Sequence, residues 1–490
     1  MAEDRRMIAT ARTERHAPAL APSEPDAREV VVVGAGIAGL TAAWRLRHRD
    51  LLVLEASDRV GGRMRSEPHG DYWLNFGAHL FPAPGSLVDS IARELELETV
   101  PVWGSMMGLA VRRSKLTSGP VESYPFRLPL SIRERAEFAI AGLRVQRAVA
   151  RYHRVARARP GEPPAETRAR VLAHEDGRTF GAFLGRLSPA VRDIFACAAH
   201  RATAELDELS AGCGIGLFAL VWGGKGSLIA RNMLGGTARL PQAMAERLGP
   251  DRVRTDAEVT AIRPRGSRLV VEYRADGTTR RLEARHVIVA AQAPLASRLT
   301  AEVAPAAAEA LGRMTYGAFL NVAIVTKEAG PMPWDRIYAM ATPGRAFDMF
   351  TNQAHALRHA GPRRPGGSLM LFSGGHAAAA LSEASDDVII GRFVDDLVAL
   401  FPEAAAVVDE AHVQRWPLGN VYAQPGRRAL QAPLEGALGA AGNLHLAGDY
   451  FAELGSLEAA ARTGASAAIR VDGLLAGAST VTQSREGVNA

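Results

Sequence analysis

Three glycines near the start of the chain have the spacing of a phosphate-binding turn. They follow a β-branched run at 30–33 and precede a segment with helical spacing at 40–46. In such a unit the first glycine permits a tight turn, the second admits a pyrophosphate against the backbone, and the third lets the helix pack on the strand. An acidic residue ending the next strand, about 20 residues on, binds the ribose. The residues predicted to hold a dinucleotide here are Gly34, Gly36, Ile37, Ala38, Gly39, Glu55 and Ala56.

A second glycine turn follows directly. Gly61 and Gly62 stand immediately before Arg63. Paired glycines allow a close backbone approach to a polar ligand, and an arginine offers a fixed fork of donors to phosphate. Because both turns and the acidic residue lie within about 30 residues of each other, the pattern favours one polar cofactor over a plain surface loop.

The elements that must position these residues form an α/β unit. The runs 30–33 and 51–54 are typical of short strands buried on both faces, and the helix between them makes the strands parallel neighbours. Residues 252–292 alternate in the manner of strands, which predicts a small antiparallel ribbon. A further strand at 444–446 precedes a glycine, and 131–159 predicts a basic amphipathic helix.

Composition excludes several classes of protein. With 490 residues, 47% hydrophobic and 22% charged, the chain is expected to form two or three globular domains. The net charge of +6 comes with no basic tail carrying aromatic residues, so nucleic-acid binding is not expected. Cys197 and Cys213 are the only cysteines, which excludes a disulfide framework and favours a reducing compartment. Neither a metal-ligand spacing nor an apolar run of spanning length occurs, so we expect a cytoplasmic protein with at most peripheral membrane contact.

Three separated blocks resemble one superfamily. VVVGAGIAGLTAAWRL, followed by LLVLEASDRVGGRMRS, resembles the FAD-binding entry of the flavin amine oxidases, protoporphyrinogen oxidases and phytoene desaturases. Blocks at 235–262 and 446–460 follow in that family's order. The resemblance implies FAD, held noncovalently because no cysteine follows Cys213 to tether it. It places Val259 at the adenine, Asp449 near the pyrophosphate and Leu457 at the flavin ring. The further FAD contacts that it implies are Gly61, Gly62, Arg63, Gly77, Ala78, His79, Val259, Gly448, Asp449, Ser456, Leu457 and Ala460.

The same resemblance implies the fold. We expect an α/β protein with a Rossmann-like FAD-binding domain, built from discontinuous segments, and an α+β substrate-binding domain. The expected division is a disordered arm at 1–28, an FAD-binding domain at 29–84, 231–298 and 440–472, a substrate-binding domain at 85–230 and 299–439 with a helical subdomain near 131–230, and a flexible tail at 473–490.

The substrate markers of the family are missing. Many of its amine oxidases place a lysine near flavin N5, and gap-free placement puts Asn321 there. Lys327 lies six residues further on, about 20 Å along a strand, and cannot replace it. Leu80 stands where amino-acid oxidases carry a carboxylate-binding arginine, which disfavours free α-amino acids. Tyr422 supplies one wall of the monoamine oxidase aromatic sandwich, but Ser456 occupies the other.

His79 is the candidate acid or base. Its side chain is suited to contact with the flavin face or a substrate hydroxyl, although a lone histidine can equally be structural. The segment Gly77–Phe81 also resembles UDP-galactopyranose mutases, which leaves a flavoenzyme without net redox chemistry open. The catalytic candidates are His79, Asn321 and Tyr422, and further candidates for lining the pocket are Trp222, Phe350 and Trp416.

The resemblance therefore implies an FAD-dependent oxidoreductase. It would remove a hydride from a C–N or C–C bond of an apolar small molecule, with dioxygen as the acceptor that reoxidises the flavin. The missing markers favour a natural-product tailoring oxidase or desaturase. The alternatives are a mutase or cyclase, a protoporphyrinogen-oxidase-like housekeeping enzyme, and a flavin-bound scaffolding protein. A homodimer is left open.

Overall fold

The computed structural model describes residues 26–81, 84–102, 108–219, 221–222, 231–358, 362–440 and 442–486. Its strands are β1 (Asp26–Val33), β2 (Leu51–Leu54), β3 (Ser66–His69), β4 (Tyr72–Asn75), β5 (Thr99–Pro101), β6 (Gly108–Val111), β7 (Ser114–Leu116), β8 (Arg231–Met233), β9 (Val253–Arg254), β10 (Glu258–Arg265), β11 (Arg268–Ala275), β12 (Thr278–Val289), β13 (Tyr316–Thr326), β14 (Ala339–Ala341), β15 (Met349–Asn352), β16 (Gly367–Gly374), β17 (Val408–Val421) and β18 (Leu444–Leu446).

The helices are distributed between these strands. They are α1 (Ile37–Arg45), α2 (Leu87–Glu94), α3 (Tyr124–Arg127), α4 (Ile132–Ala156), α5 (Pro164–Ala173), α6 (Phe180–Leu184), α7 (Pro189–His200), α8 (Ala211–Phe218), α9 (Arg239–Leu248), α10 (Ala293–Thr300), α11 (Pro305–Gly312), α12 (His355–Arg358), α13 (Gly375–Leu381), α14 (Asp386–Leu400), α15 (Ala404–Val407), α16 (Gln431–Ala440) and α17 (Leu457–Glu486).

The first sheet combines distant parts of the chain. Its order is β10-β11-β12-β1-β2-β9, with β18 also pairing with β12. β1 pairs in parallel with β2 and β12, as the apolar runs predict for strands buried on both faces. β10, β11 and β12 pair antiparallel, which confirms the predicted ribbon. Helices α1, α9 and α17 cover one face, and α10, α11 and α16 cover the other.

The second sheet belongs to the other domain. Its order is β17-β13-β16-β15-β14-β6-β7, and α14 packs its apolar side on one face through Ile389, Phe393 and Leu397. Helices α4 and α6–α8 form a separate core with Tyr422. The fold is therefore the mixed α/β architecture that the sequence predicts.

The chain ends differ from the prediction. Residues 473–486 continue α17, where a flexible tail was expected, because Val471 and Leu475 are fully buried. Gly464 lets α17 approach α1, since a Cβ there would lie 2.0 Å from the Ala38 carbonyl oxygen. Residues 26–28 of the expected arm pair with β12, whereas 1–25 and 487–490 lie outside the described residues.

The expected domain boundaries also shift. Helix α11, which was expected in the substrate-binding domain, buries Ala307 and Leu311 in the core of the first sheet. Leu430 and Leu434 pack in that same core. Apolar residues at these positions extend the FAD-binding domain beyond 298 and begin its last segment before 440. Over the described residues, no helix is long and apolar enough to cross a bilayer.

Candidate cofactor and substrate site

The first glycine turn has the geometry that its spacing predicts. Gly34 has φ +99°, a conformation that other residues rarely adopt. A Cβ on Gly39 would lie 1.9 Å from the Gly34 carbonyl oxygen, so helix and turn pack through it. A Cβ on Gly36, by contrast, would meet nothing within 4 Å. Backbone at Gly36 is therefore open to a ligand.

The start of α1 faces the same open space. Its N-cap, Gly36, has no side chain to accept from the first N–H groups of the helix. The N–H groups of Ile37 and Ala38 consequently keep their capacity to bind an anion, which the helix dipole favours at this end.

Glu55 lies at the edge of this turn. Its carboxylate accepts from the Ala35 N–H at 2.7 Å, and from the N–H and hydroxyl of Ser57 at 3.0 and 2.8 Å. The neighbouring Ala56 is exposed. Val259 belongs to β10 but is only 5% exposed and packs in the core. Its backbone, not its side chain, is thus what an adenine can contact.

The second glycine turn packs against the first. The Gly61 N–H donates to the Ala35 carbonyl at 2.8 Å, and a Cβ on Gly62 would lie 3.7 Å from the Cα of Gly36. Arg63, predicted to contact phosphate, pairs with Asp449, with Nη1 2.9 Å from Oδ2. Burial lowers the pKa of Arg63, but the charge of Asp449, its hydrogen bond to the guanidinium and the nearby Tyr316 together raise that pKa. Two residues predicted near one pyrophosphate are therefore brought together from opposite ends of the chain.

The C-terminal block supplies a second helix start. Ser456 accepts from the Ala459 N–H at 3.1 Å and so caps α17 at Leu457. Ala460 is buried behind this first turn. A Cβ on Gly455 would lie 2.5 Å from Asp449 Oδ2, so glycine keeps this loop close to the carboxylate. The N–H groups of this helix start lie beside the Arg63–Asp449 pair.

A dinucleotide fits this arrangement. Open backbone at Gly36, two helix starts, the Arg63–Asp449 pair and the Glu55 carboxylate together offer donors for phosphates and an acceptor for a ribose. Spacing predicted Gly36, Glu55 and Arg63, whereas Asp449 and the helix start at Leu457 were implied by the family resemblance. Among the described residues, no cluster of histidine, cysteine, aspartate and glutamate is arranged to hold a metal.

Asn321 lies on β13, where the second sheet meets this cradle. It is 3% exposed, and its Nδ2 donates to the Phe76 carbonyl at 2.6 Å. Its Oδ1 has no hydrogen-bond partner among the described residues. Trp416 Nε1 donates to the same carbonyl at 2.5 Å. A Cβ on the next residue, Gly77, would lie 2.1 Å from the Arg63 carbonyl oxygen, so only glycine fits there.

His79 lies two residues further along that segment. Its ring is 6.2 Å from that of Tyr338 and 5.9 Å from that of Phe372, measured between centroids. Burial lowers the pKa of His79 to about 4, a hydrogen bond that the ring donates to the Gly77 backbone opposes this, and the charge of Arg201 lowers the pKa further. The imidazole is therefore neutral at pH 7. The Ala78 carbonyl accepts from Thr237 Oγ1 at 2.6 Å, which fixes the backbone between Gly77 and His79.

Tyr422 lies apart from His79. Its hydroxyl donates to Glu208 Oε2 at 3.1 Å, and its backbone bridges to Leu454. Burial raises the pKa of Tyr422.

Phe350 does not line a pocket: it is fully buried and packs on Phe401 at 5.3 Å. Lys327 pairs with Asp409 at the surface, in agreement with the distance expected along the strand.

The sequence did not indicate the cavity that lies between the helical core and the second sheet. It has a volume of about 260 Å³ and is lined mainly by apolar side chains, among them Phe138, Phe195, Phe218 and Trp222. Arg201, which directly follows α7, is a charged residue in this otherwise mainly apolar lining. Helical spacing of Ile194, Cys197, Ala198 and Arg201 was a usable signal, but nothing local distinguished Arg201 from the other arginines of the chain.

This fold and site define a two-domain flavoprotein. The family described as flavin-containing amine oxidoreductases matches residues 37–472, and the chain belongs to it. FAD is accordingly its cofactor, and the residues described above would hold it noncovalently.

Individual relatives match less of the sequence. L-amino acid oxidase Cdc18 of Crotalus durissus cumanensis is 41% identical over 73 residues, which is 14% of this chain and 15% of the relative. The chain thus matches well under two thirds of that relative's length.

Solved structures match the fold over nearly the whole chain. Putrescine oxidase bound to putrescine has a TM-score of 0.71 at 20% identity, covering 91% of this chain and 99% of the other. Cyclohexylamine oxidase from Brevibacterium oxydans IH-35A has a TM-score of 0.70 at 21% identity, covering 92% and 100%. At these identities the similarity shows the shared fold.

Proposed function

We propose that this chain is an FAD-dependent oxidase that acts on the C–N bond of an apolar amine. The observation that carries the proposal is the apolar cavity of about 260 Å³, whose lining residue Arg201 is close enough for its charge to lower the pKa of His79. His79 in turn belongs to the segment that packs against the cofactor cradle. Pockets that bind small molecules are lined mainly by apolar groups with a few polar ones, as this cavity is.

The reaction takes two electrons from the substrate. A hydride leaves the carbon and a proton leaves the nitrogen, so a C=N bond forms. Bound FAD supplies the acceptor for the hydride, and dioxygen, the terminal acceptor, leaves as hydrogen peroxide. Oxidation of a C–C bond to C=C has the same electron balance and is the competing outcome.

The chain's own residues orient the substrate. We assign His79, neutral at pH 7, to contact with the reacting end of the substrate, between Tyr338 and Phe372. Asn321 fixes the Phe76–Gly77 backbone by its hydrogen bond to the Phe76 carbonyl, whereas Tyr422 packs in the helical core and is outside the cavity lining. Asn321 in place of lysine, and Ser456 in place of a second aromatic wall, support a tailoring oxidase with a narrow substrate range.

Anaerobic reduction of the purified holoenzyme tests the proposal. Stopped-flow bleaching of the flavin is followed with a panel of apolar primary amines, amides and polyenes. We expect apolar amines to bleach the flavin, and readmitted oxygen to be consumed with formation of an equal amount of peroxide. Bleaching by polyenes alone would replace C–N with C–C oxidation, and no bleaching by any compound would overturn the proposal.

A matched pair of variants ties the activity to the cavity. Gly142 of α4 lines the cavity, and a Cβ there would meet nothing within 4 Å. Gly391 of α14 is exposed and equally open, so Gly391→Phe imposes a similar change on a helix elsewhere. We expect Gly142→Phe to weaken the apparent affinity for the amine at least tenfold and Gly391→Phe to leave it unchanged. Equal effects of the two substitutions would show that the cavity does not bind the amine.

A further inference from the structure

Arg201 is a cation at the wall of an apolar cavity, and the described residues offer it no counter-charge. It follows α7 directly, and lies on the same helical face as Ile194, Cys197 and Ala198, which also line the cavity. Within the described part of the chain, its side chain makes no hydrogen bond or ion pair. Burial lowers the pKa of Arg201 with no carboxylate to offset it. Arg201 is partly accessible, and a cation in the lining of an apolar cavity with no carboxylate partner is complementary to an anion.

The carboxylates around the neighbouring His200 and in the cavity lining are engaged elsewhere. Asp348 and Glu205 both contact His200, at 2.6 and 3.3 Å. Glu122, the acidic residue of the cavity lining, accepts from Trp222 Nε1 at 2.8 Å and from Gln146 Nε2 at 3.1 Å. Glu122 is exposed and so lies at the outer side of the cavity. None of these carboxylates neutralises Arg201.

The position of Arg201 relative to His79 gives the site a direction. Arg201 is close enough for its charge to act on the His79 ring. Phe218 and Trp222, stacked 5.9 Å apart, form part of the apolar lining of the same cavity. An anionic group at Arg201 would therefore sit next to the reacting end of a substrate whose apolar body fills the cavity.

We propose that Arg201 anchors a carboxylate of the substrate, so that the enzyme acts on apolar amines that also carry an acid group. This inference rests on the proposed function and narrows its substrate class. The resemblance places a carboxylate-binding arginine at the position of Leu80, and a leucine there disfavours free α-amino acids. The Arg201 guanidinium, at the end of α7, supplies the forked pair of donors for a carboxylate from the other domain.

Binding of unreactive acids to the oxidised holoenzyme tests this without turnover. Calorimetry compares 3-phenylpropanoate with its neutral isostere 3-phenylpropanamide, and indole-3-propanoate with its amide. We expect each acid to bind at least tenfold tighter than its amide. Equal affinities, tighter binding of the amides, or no binding of any probe would overturn the assignment.

Variants separate an anchor from a structural role. We expect Arg201→Met to abolish the preference for acid over amide while amide binding stays the same, and Arg201→Lys to keep a reduced preference. Arg133→Gln, which removes an arginine that is 85% exposed on α4, should keep the full preference. A preference that survives Arg201→Met, or one lost equally with Arg133→Gln, would refute the anchor. Failure of the anchor leaves flavin bleaching by simple amines intact, whereas failure of the proposed function abolishes bleaching and leaves acid binding measurable.

Discussion

Asn321 and Trp416 donate hydrogen bonds to one atom, the carbonyl oxygen of Phe76, at 2.6 and 2.5 Å. The two donors come from neighbouring strands of the second sheet, β13 and β17, which pair antiparallel. Phe76 directly precedes the glycine that packs on the Arg63 backbone. The Phe76 carbonyl is therefore a buried acceptor at which two strands of the second sheet contact the cofactor segment.

A double-mutant cycle measures this shared acceptor. Asn321→Leu or Trp416→Phe alone leaves the carbonyl with one donor, and each should lower the free energy of unfolding by about 1 kcal/mol beyond its packing effect. The double variant leaves a buried carbonyl with none, so we expect it to lose about 1–3 kcal/mol more than the sum of the single variants. Denaturant unfolding gives the three values. Additivity within about 0.5 kcal/mol would show that the donors act independently.

The cofactor side of the site was predictable because its requirements are local. A strand, a glycine turn and a helix follow one another in sequence, so the roles of Gly34, Gly36 and Gly39 are predicted from their spacing alone. The substrate side was not predictable in this way. Asn321 meets Phe76 only through the pairing of two domains, and Arg201 acquires meaning only because a cavity forms beside it. The alanine-rich end of α17 lacked an obvious apolar stripe, yet Val471 and Leu475 are fully buried.

Substitution by alanine should have different effects at two glycines of the first turn. At Gly36 a Cβ has free space in the protein but would occupy the approach of a pyrophosphate, so Gly36→Ala should weaken FAD binding at least tenfold while the FAD-free protein unfolds as before. At Gly39 a Cβ would lie 1.9 Å from the Gly34 carbonyl oxygen, so Gly39→Ala should destabilise the FAD-free protein itself. Flavin titration and thermal unfolding of the deflavinated variants check both. Equal thermal stability of the two variants would contradict the assignment.

Glu453 should make stability depend on pH near neutrality. The carboxyl is buried and accepts from the Tyr152 hydroxyl. Burial raises the pKa of Glu453 to about 8, although the Tyr152 hydrogen bond opposes the shift. Between the unfolded value of about 4.5 and 8, the native state keeps a proton that the unfolded chain releases, so this group loses stability as pH rises through that window.

Glu453→Gln keeps the shape of the protonated acid and removes its titration. We expect the two proteins to be equally stable near pH 4.5, and the variant to gain on the order of 3 kcal/mol over the wild type by pH 8. Chemical unfolding across this range measures the difference. A variant that is less stable than the wild type at pH 8 would show that the charged carboxylate stabilises the fold.

His200 should give a pH dependence at higher values. It joins α7 to the second sheet through Asp348 at 2.6 Å and reaches Glu205 at 3.3 Å. Burial alone would lower the pKa of His200, but the hydrogen bonds and charges of these two carboxylates outweigh it and raise the pKa to about 10. Relative to an unfolded value of about 6.5, the native state binds the extra proton between these limits. The stability from His200 is therefore complete below pH 6.5 and is lost as pH rises through about 10.

His200→Gln tests that sign directly. The variant should be less stable than the wild type by about 2–4 kcal/mol at pH 6, and the difference should shrink steadily toward pH 10. His48→Gln serves as the control, because its side chain is 54% exposed and its pair with Asp472 should contribute under about 1 kcal/mol at any of these pH values. A difference between His200→Gln and wild type that stays constant from pH 6 to pH 10 would mean that His200 stabilises this junction by packing and not by its charge.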